Sequence, residues 1–179
     1  MVRLVAVLTV ICAISSALLA AVYQMTQEPI AKALEARTKS AASKVMPAGL
    51  PMPEKMELVQ NGVTNTFFVV KQEGKIVAVA TEGRSKNGYG GDIVLMVGMS
   101  ADNKLVNYEI LSATETPGLG TKIGGDLFKA PLKGRSLESS WIVKKDGGQV
   151  DAVTAATISS RAALDCIRDA IAKRQLLKL

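Results

Sequence analysis

The sequence contains no histidine, and this absence limits the chemistry that its 179 residues can perform by themselves. Nucleophilic catalysis by Ser-His-Asp or Cys-His groups is excluded, as are zinc and haem sites that depend on histidine ligands. The two cysteines, Cys12 and Cys166, lie far apart and form no CxxC motif, which argues against an iron–sulfur cluster held by this chain alone. We therefore assign no catalytic residue and no metal ligand. Any redox or transfer chemistry requires a bound organic cofactor.

Aromatic residues are also scarce, at 4% of the chain, and the lysine and arginine residues do not form runs. A nucleic-acid surface usually combines clustered positive charge with stacking rings. The net charge of +6 is therefore typical of a solvated surface that can also favour an anionic ligand, and we expect no nucleic-acid partner.

One long apolar run is present, and it lies at the N-terminus, where residues 4–22 carry no charge. A helix of this length, at about 1.5 Å per residue, matches a hydrocarbon core of about 30 Å. A cleaved signal peptide with Arg3 in its charged region is the alternative. We predict a retained single-pass anchor, because the apolar run continues past the weak small-residue cleavage site at residues 15–17. The charges on the two flanks do not decide its orientation.

Strand signals dominate the middle of the chain. Residues 67–71 and 76–81 flank a Glu-Gly turn and predict a hairpin, and residues 93–99 and 105–111 predict a second one. Residues 141–143 predict a further short strand. These segments, flanked by helices, predict an α+β domain with an antiparallel sheet.

Helical patterns flank these strands. A helix is predicted to begin at Pro29, before a loop rich in proline and glycine at residues 47–53. Further helices are predicted over residues 123–128 and 158–176. The last helix has one apolar face, and its other face carries two predicted i,i+4 ion pairs: Arg161–Asp165 and Asp169–Lys173.

Two glycine-rich segments interrupt the strands: residues 87–92 (NGYGGD) and residues 115–120 (ETPGLG). Glycine lets the backbone approach a ligand closely, and Pro117-Gly118 also fits the centre of a type II turn. Neither segment is a phosphate loop or a dinucleotide fingerprint. Each is explained either as an ordinary turn or as a ligand-binding loop.

A third segment, residues 151–160 (DAVTAATISS), places small hydroxyl side chains at the entrance of the last predicted helix. Oxygens of Asp151, Thr154, Thr157 and Ser159 can cap the unpaired N–H groups of a first helical turn. The same N–H groups and the helix dipole also suit a phosphate. Capping and phosphate binding are therefore both open interpretations of this segment.

Taken in order, the three segments resemble the motifs of the FMN-binding domain family. Residues 154–157 (TAAT) are similar to its [ST]-G-A-T flavinylation motif, residues 115–120 match its ETPGLG loop, and residues 88–91 match its GYGG loop. With the N-terminal anchor, the resemblance is nearest to the G subunits of Rnf electron-transport complexes, which are related to the C subunits of sodium-translocating NADH:quinone reductases. Two departures are Ala155, in place of the usual glycine, and Thr114, near a position where many relatives carry histidine.

The resemblance implies FMN joined through a phosphoester bond to Thr157 by a separate flavin transferase that uses FAD. The domain would then bind, orient and electrostatically tune the flavin ring. The resemblance also implies a set of cofactor-binding residues beside Thr157: Thr154, Ala156, Ser159, Glu115, Thr116, Pro117, Gly118, Leu119, Gly120, Gly88, Tyr89, Gly90 and Gly91.

The resemblance further implies an electron carrier in an ion-translocating ferredoxin:NAD oxidoreductase of the inner cell membrane. Its partners would be the lipid membrane, the A, D and E membrane subunits of the Rnf complex and, through the complex, the B and C subunits. The alternatives are a flavin-carrying component of another membrane redox system and a non-redox, membrane-anchored assembly module. The predicted domains are a cytoplasmic tip with the transmembrane helix (1–23), a helical linker and loop (24–53) and an extracytoplasmic FMN-binding domain (54–179).

Overall fold

The computed structural model describes residues 2–60 and 62–177, and the chain divides into two compact units, Met1–Arg37 and Thr38–Leu179. The first unit consists of most of helix α1, Val2–Lys44, whose last turns belong to the second unit. By length and composition α1 is a helix that can cross a membrane. Large apolar side chains along it, such as Leu4 and Leu19, are exposed in this structure.

Helix α1 runs without interruption through Pro29, so the prediction of a separate helix beginning at that residue is wrong. Proline removes one backbone hydrogen bond and crowds the preceding turn. The neighbouring residues are rich in alanine, lysine and glutamate, which favour helix. The remaining backbone hydrogen bonds therefore keep α1 continuous past Pro29. The predicted loop at residues 47–53 is confirmed, since α1 ends at Lys44 and no regular element follows before residue 54.

The second unit is built on one antiparallel five-stranded sheet whose spatial order follows the chain. The two predicted hairpins are confirmed as β2–β3 and β4–β5. Glu73 and Gly74 both have positive φ at the first hairpin turn, which matches the right-handed twist of the strands. The strands are β1 (Glu54–Gln60), β2 (Val63–Gln72), β3 (Lys75–Ser85), β4 (Ile93–Ser100) and β5 (Leu105–Ala113).

Strand β1 is not predicted by the sequence pattern. Only Met56 and Leu58 in it are partly buried, and they pack beside Phe67 and Val69 of β2. An edge strand pairs with only one neighbour and buries little surface, so its sequence shows only a weak hydrophobic alternation. Strand β1 is therefore recognised from its pairing with β2 and not from its composition.

Both faces of the sheet are covered within the second unit. Helix α3, Thr157–Gln175, lies against one face, and a Cβ atom on Gly83 of β3 would be 1.9 Å from the Cys166 carbonyl oxygen. The end of α1 covers part of the other face, where a Cβ on Gly98 would be 1.9 Å from the Val45 carbonyl oxygen. Glycine at these two positions therefore allows backbone to pack directly on backbone.

The connection between β5 and α3 contains short helical turns. The predicted helix at residues 123–128 is a 3₁₀ turn, Gly120–Gly124, followed by α2, Asp126–Lys129, and a 3₁₀ turn, Ala130–Leu132. The predicted strand at residues 141–143 is wrong, because only one isolated bridge joins Val143 to Val150.

Helix α3 confirms the predicted last helix to within one residue at each end. The predicted Asp169–Lys173 ion pair is confirmed at 2.7 Å. The predicted Arg161–Asp165 pair is wrong. Arg161 binds Asp146 instead, through two hydrogen bonds of 2.7 Å each, a bidentate geometry that a planar guanidinium favours.

Candidate functional site

Helix α3 begins without a side-chain cap, since its N-cap residue is Ala156. The nearby hydroxyl groups bind elsewhere: Ser159 Oγ donates to Glu115 over 2.6 Å, and Ser160 Oγ donates to the Ala156 carbonyl and accepts the Val153 N–H. Among the residues that the structure describes, the capping interpretation of residues 151–160 is therefore wrong. The uncapped helix start keeps the positive dipole end and N–H groups that suit an anion.

The turn that leads into α3 contains a strained residue. Ala155 has φ +60°, in the left-handed region that costs a residue with a Cβ roughly 1–2 kcal/mol. Glycine, the usual residue at that position of the [ST]-G-A-T motif, adopts such a φ without this strain. The departure at Ala155 therefore alters backbone strain, and not merely the volume of one methyl group.

The Glu115 carboxylate joins the three segments that the sequence singles out. Its side chain is buried, with Oε2 accepting the Ser159 hydroxyl at 2.6 Å and Oε1 accepting the Gly90 N–H at 3.3 Å. Gly90 lies 25 residues before Glu115, and Ser159 lies 44 residues after it. One carboxylate thus connects the glycine-rich loop, the loop at residues 115–120 and the first turn of α3.

The glycines around Glu115 make room for this contact. A Cβ on Gly120 would lie 2.3 Å from Glu115 Oε2, and one on Gly88 would lie 2.6 Å from Oε1. A Cβ on Gly90 would lie 1.9 Å from the Thr114 carbonyl oxygen, and the Thr114 hydroxyl donates to the Gly90 carbonyl at 2.7 Å. Thr114 therefore supports the glycine-rich loop, a role that the sequence does not reveal.

The loop after Glu115 is held at both ends. Pro117 and Gly118 form the predicted type II turn, with Gly118 at φ +74° and a hydrogen bond from the Leu119 N–H to the Thr116 carbonyl. Beyond it, the buried Tyr108 hydroxyl donates to the Ile123 carbonyl. Burial, followed by the charge of Glu109, raises the pKa of Tyr108, so this hydroxyl stays protonated and keeps its donor role.

An open cavity of about 470 Å³ lies where these segments meet. Large apolar side chains around it are partly exposed: Tyr89 by 70%, Leu119 by 43% and Ile158 by 45%. The cavity therefore joins an apolar surface to an uncapped helix start. Its lining is Tyr89, Glu115, Thr116, Leu119, Gly120, Ala155, Ala156, Thr157, Ile158 and Ser159.

Eight of the fourteen residues that the sequence resemblance implies line this cavity. Thr154 instead lines a neighbouring cavity of about 520 Å³, beside Asp151 and Leu127. The other implied residues outside the lining are Gly88, Gly90, Gly91, Pro117 and Gly118. Of these, Gly88 packs against Glu115, and Gly90 packs against Thr114.

Two residues near the cavity, Ile158 and Lys145, are missed by sequence reasoning, and Ala155 is identified from the sequence only as a departure from the motif. Ile158 lies beside predicted residues and can be inferred from that adjacency. Lys145 cannot, because it lies 12 residues before Thr157, whose hydroxyl oxygen is 3.4 Å from its Nζ atom. No sequence period links these two positions.

Residues 88–172 match the FMN-binding domain family, and this range contains the whole cavity lining and the three segments except Asn87. The second unit therefore contains an FMN-binding domain. Over 175 residues the chain is 30% identical to the G subunit of the ion-translocating oxidoreductase complex of Photorhabdus laumondii, covering 90% of this chain and 84% of that protein. It is 31% identical over 166 residues to the G subunit of the proton-translocating ferredoxin:NAD(+) oxidoreductase complex of Clostridium ljungdahlii, covering 92% and 86%. The chain belongs to this family of G subunits.

A solved structure supports the fold. The C subunit of the Na(+)-translocating NADH-quinone reductase of Parabacteroides distasonis superposes with a TM-score of 0.50 at 22% identity. The match covers 60% of this chain and 59% of that structure, less than two thirds of its length. The likeness establishes a shared fold, which by itself does not determine the chemistry of the site.

The cavity fits both chemical parts of FMN. A flat aromatic ring requires apolar surface, which Tyr89, Leu119 and Ile158 provide. An anionic phosphate requires donors and positive potential, which the uncapped start of α3 provides at Thr157. The described residues can therefore hold the cofactor of this family.

We predict that Ala155→Gly raises the free energy of unfolding by about 1 kcal/mol, because it relieves the positive φ. The measurement is urea unfolding of the full chain in detergent micelles, followed by the fluorescence of Trp141, the sole tryptophan. Ala152→Gly, at a residue outside the positive-φ set, is the matched control and is expected to destabilise. A loss of stability in both variants would contradict the strain assigned to Ala155.

We predict that Glu115→Ala lowers the free energy of unfolding by about 1–3 kcal/mol, because the Ser159 hydroxyl and the Gly90 N–H lose their buried acceptor. Glu115→Gln should lose less, since an amide can still accept one of these bonds. Hydrogen exchange at residues 86–92 should accelerate in Glu115→Ala. Glu138→Ala, at an exposed carboxylate, is the control, and equal behaviour of the two alanine variants would refute the bridging role.

Proposed function

We propose that this chain is the membrane-anchored flavin carrier of an ion-translocating ferredoxin:NAD oxidoreductase complex, with FMN bound covalently at Thr157. The observation that carries this proposal is the placement of Thr157 at an uncapped helix start that lines an apolar cavity. Membership of the family of G subunits supports the complex, and the match to FMN-binding domains supports the cofactor.

The proposed linkage is a phosphoester between the Thr157 hydroxyl oxygen and FMN. In its formation that oxygen bonds to the flavin-side phosphorus of FAD, the P–O bond to the AMP half breaks, and AMP leaves. The hydroxyl proton is lost to a base of the flavin transferase or to solvent. No oxidant or reductant is consumed, so a hydroxyl on an accessible loop-to-helix junction is the only reactive group that this chain needs to supply.

The bound flavin would supply reversible electron transfer, and the residues of the chain would position it. Tyr89, Leu119 and Ile158 would contact the ring and exclude water from part of it, while the first turn of α3 would stabilise the phosphate. Glu115 would keep the loops in place. No general acid or base and no separate substrate cavity is needed for such a carrier, because electrons enter and leave through neighbouring subunits.

The proposed partners follow from the proposed complex. They are the A, D and E membrane subunits and, through the complex, the B and C subunits, with a flavin transferase required for maturation. We place the chain in the inner cell membrane, with its N-terminus in the cytoplasm and its FMN-binding domain outside. A covalent link would prevent loss of the cofactor on a side of the membrane that has no FMN supply.

We predict that Thr157→Ala abolishes covalent flavin and leaves the domain folded. Folding should persist because the Thr157 side chain makes no capping bond and its described contact is one long hydrogen bond with Lys145. The assay is flavin fluorescence that stays with the protein band after denaturation, together with intact mass, in a host that contains the transferase. In the unaltered chain the adduct should map to the tryptic fragment of residues 146–161.

Two variants sharpen this test. Thr154→Ala is the matched control and should retain flavin, because Thr154 lines the neighbouring cavity instead. Thr157→Ser keeps a hydroxyl, so a loss in that variant would reflect the transferase's choice of acceptor. Flavin that persists on Thr157→Ala would refute the assignment, and an unmodified mass for the unaltered chain would favour the assembly-module alternative.

We predict that protease added to intact cells, or to spheroplasts where an outer membrane is present, cleaves the domain that follows α1. The prediction rests on the proposed orientation, since the apolar part of α1 separates a short N-terminal tip from the domain. Immunoblotting with an antibody to the domain detects the cleavage. Protection in cells combined with cleavage in inverted vesicles would reverse the orientation.

A further inference from the structure

A short basic turn lies beside the start of helix α3. It is the 3₁₀ turn Lys144–Asp146, which follows Val143 and precedes two glycines. Lys145 in this turn places its Nζ atom 3.4 Å from the Thr157 hydroxyl oxygen. This separation is longer than the 2.7–3.2 Å of a typical N–H···O bond. Lys145 is therefore close to the hydroxyl without being tightly bound to it.

The position of this turn is defined by contacts other than that of Lys145. Asp146 accepts two hydrogen bonds from Arg161, and Lys144 pairs with Asp151 at 2.7 Å. The hydrogen bond from Arg161, the largest effect, lowers the pKa of Asp146, so the Asp146–Arg161 pair is charged at neutral pH.

The two glycines return the chain directly after the turn. Gly147 has φ +83°, and a Cβ on Gly148 would lie 2.0 Å from the Ile142 carbonyl oxygen. The glycines thus fold the chain back against Ile142, and the Asp146–Arg161 pair joins the turn to helix α3.

These pairings leave one positive charge at the helix start without a direct ion pair, that of Lys145, whose charge acts on Asp146 only from a greater distance. Lys144 and Arg161 are each matched by an aspartate, whereas no carboxylate oxygen of residues 2–60 and 62–177 lies within 4 Å of Lys145 Nζ. A phosphodiester at Thr157 would bring one negative charge to the same place. The ammonium group of Lys145 and the dipole of α3 would then face this charge together.

We infer that Lys145 is a phosphate-binding residue whose ammonium group pairs with the FMN phosphodiester at Thr157. The inference rests on the proposed attachment at Thr157. The Asp146–Arg161 pair already joins the turn to helix α3, so Lys145 is not needed for that attachment. Binding of the phosphate would give Lys145 a separate function. Lys144, next to it, carries the same charge but points it at Asp151.

The test compares Lys145→Ala with Lys144→Ala, a matched control that removes the same charge one residue away. Both are made in the flavinylated full chain and in the Thr157→Ala background, in detergent micelles, with thermal unfolding followed by near-ultraviolet circular dichroism. In flavinylated protein we expect Lys145→Ala to lower the unfolding midpoint by about 1–4 °C more than Lys144→Ala does. In the Thr157→Ala background the two should differ by less than that.

Phosphorus-31 NMR supplies an independent readout that a structural role would not change. The phosphodiester resonance should shift in Lys145→Ala, remain unshifted in Lys144→Ala, and return toward its original position in Lys145→Arg, which restores a cation. Added salt should reduce the difference between the two alanine variants, because the pair is exposed.

Equal midpoints and an unchanged phosphorus resonance for the two alanine variants, with flavin present on Thr157, would overturn the role of Lys145 alone. A lower yield of flavinylated Lys145→Ala without either effect would also overturn it, since that result would limit Lys145 to the attachment step. Flavin retained on Thr157→Ala would instead overturn the proposed linkage, and the inference with it.

Discussion

The site depends on one buried carboxylate. A buried charge is costly unless hydrogen bonds satisfy it, and Glu115 is satisfied by Ser159 on one side and by the Gly90 N–H on the other. Because its two donors come from segments far apart in the chain, satisfying the carboxylate also fixes the relative positions of those segments. The cavity wall between the loops and helix α3 follows from that requirement.

The glycines of the motifs serve two different physical needs. Gly120 and Gly88 are required by space, since a Cβ on either would collide with the Glu115 carboxylate. Gly118 is required by conformation, because its φ is +74° while nothing lies within 4 Å of its Cβ position. Within the loop at residues 115–120, glycine is therefore required for close packing at Gly120 and for backbone conformation at Gly118.

At the start of helix α3, one tertiary contact and two local backbone contacts occupy hydroxyl groups that the sequence pattern assigns to a cap. The hydroxyl-rich entrance of the helix has the composition of an N-cap, yet Ser159 and Ser160 bind Glu115 and backbone groups instead. The start of the helix is therefore uncapped, and Ala155, just before its N-cap residue, has a strained positive φ. A missing helix cap and a strained backbone both lower stability, and such features are common at binding sites.

The sequence by itself determined the elements that depend on local periodicity and on short motifs. The two hairpins, the last helix, the type II turn at Pro117-Gly118 and the apolar N-terminal helix all follow from residues close together in the chain. Only the tertiary structure decided the partners of side chains that reach across it: Arg161 binds Asp146, Thr114 supports Gly90, and Lys145 approaches Thr157. Edge strand β1 was also decided only by the tertiary structure, because it is recognised from its pairing with β2. Periodicity reports which face of an element is buried, whereas the contact that a polar side chain makes depends on which distant segment the fold brings beside it.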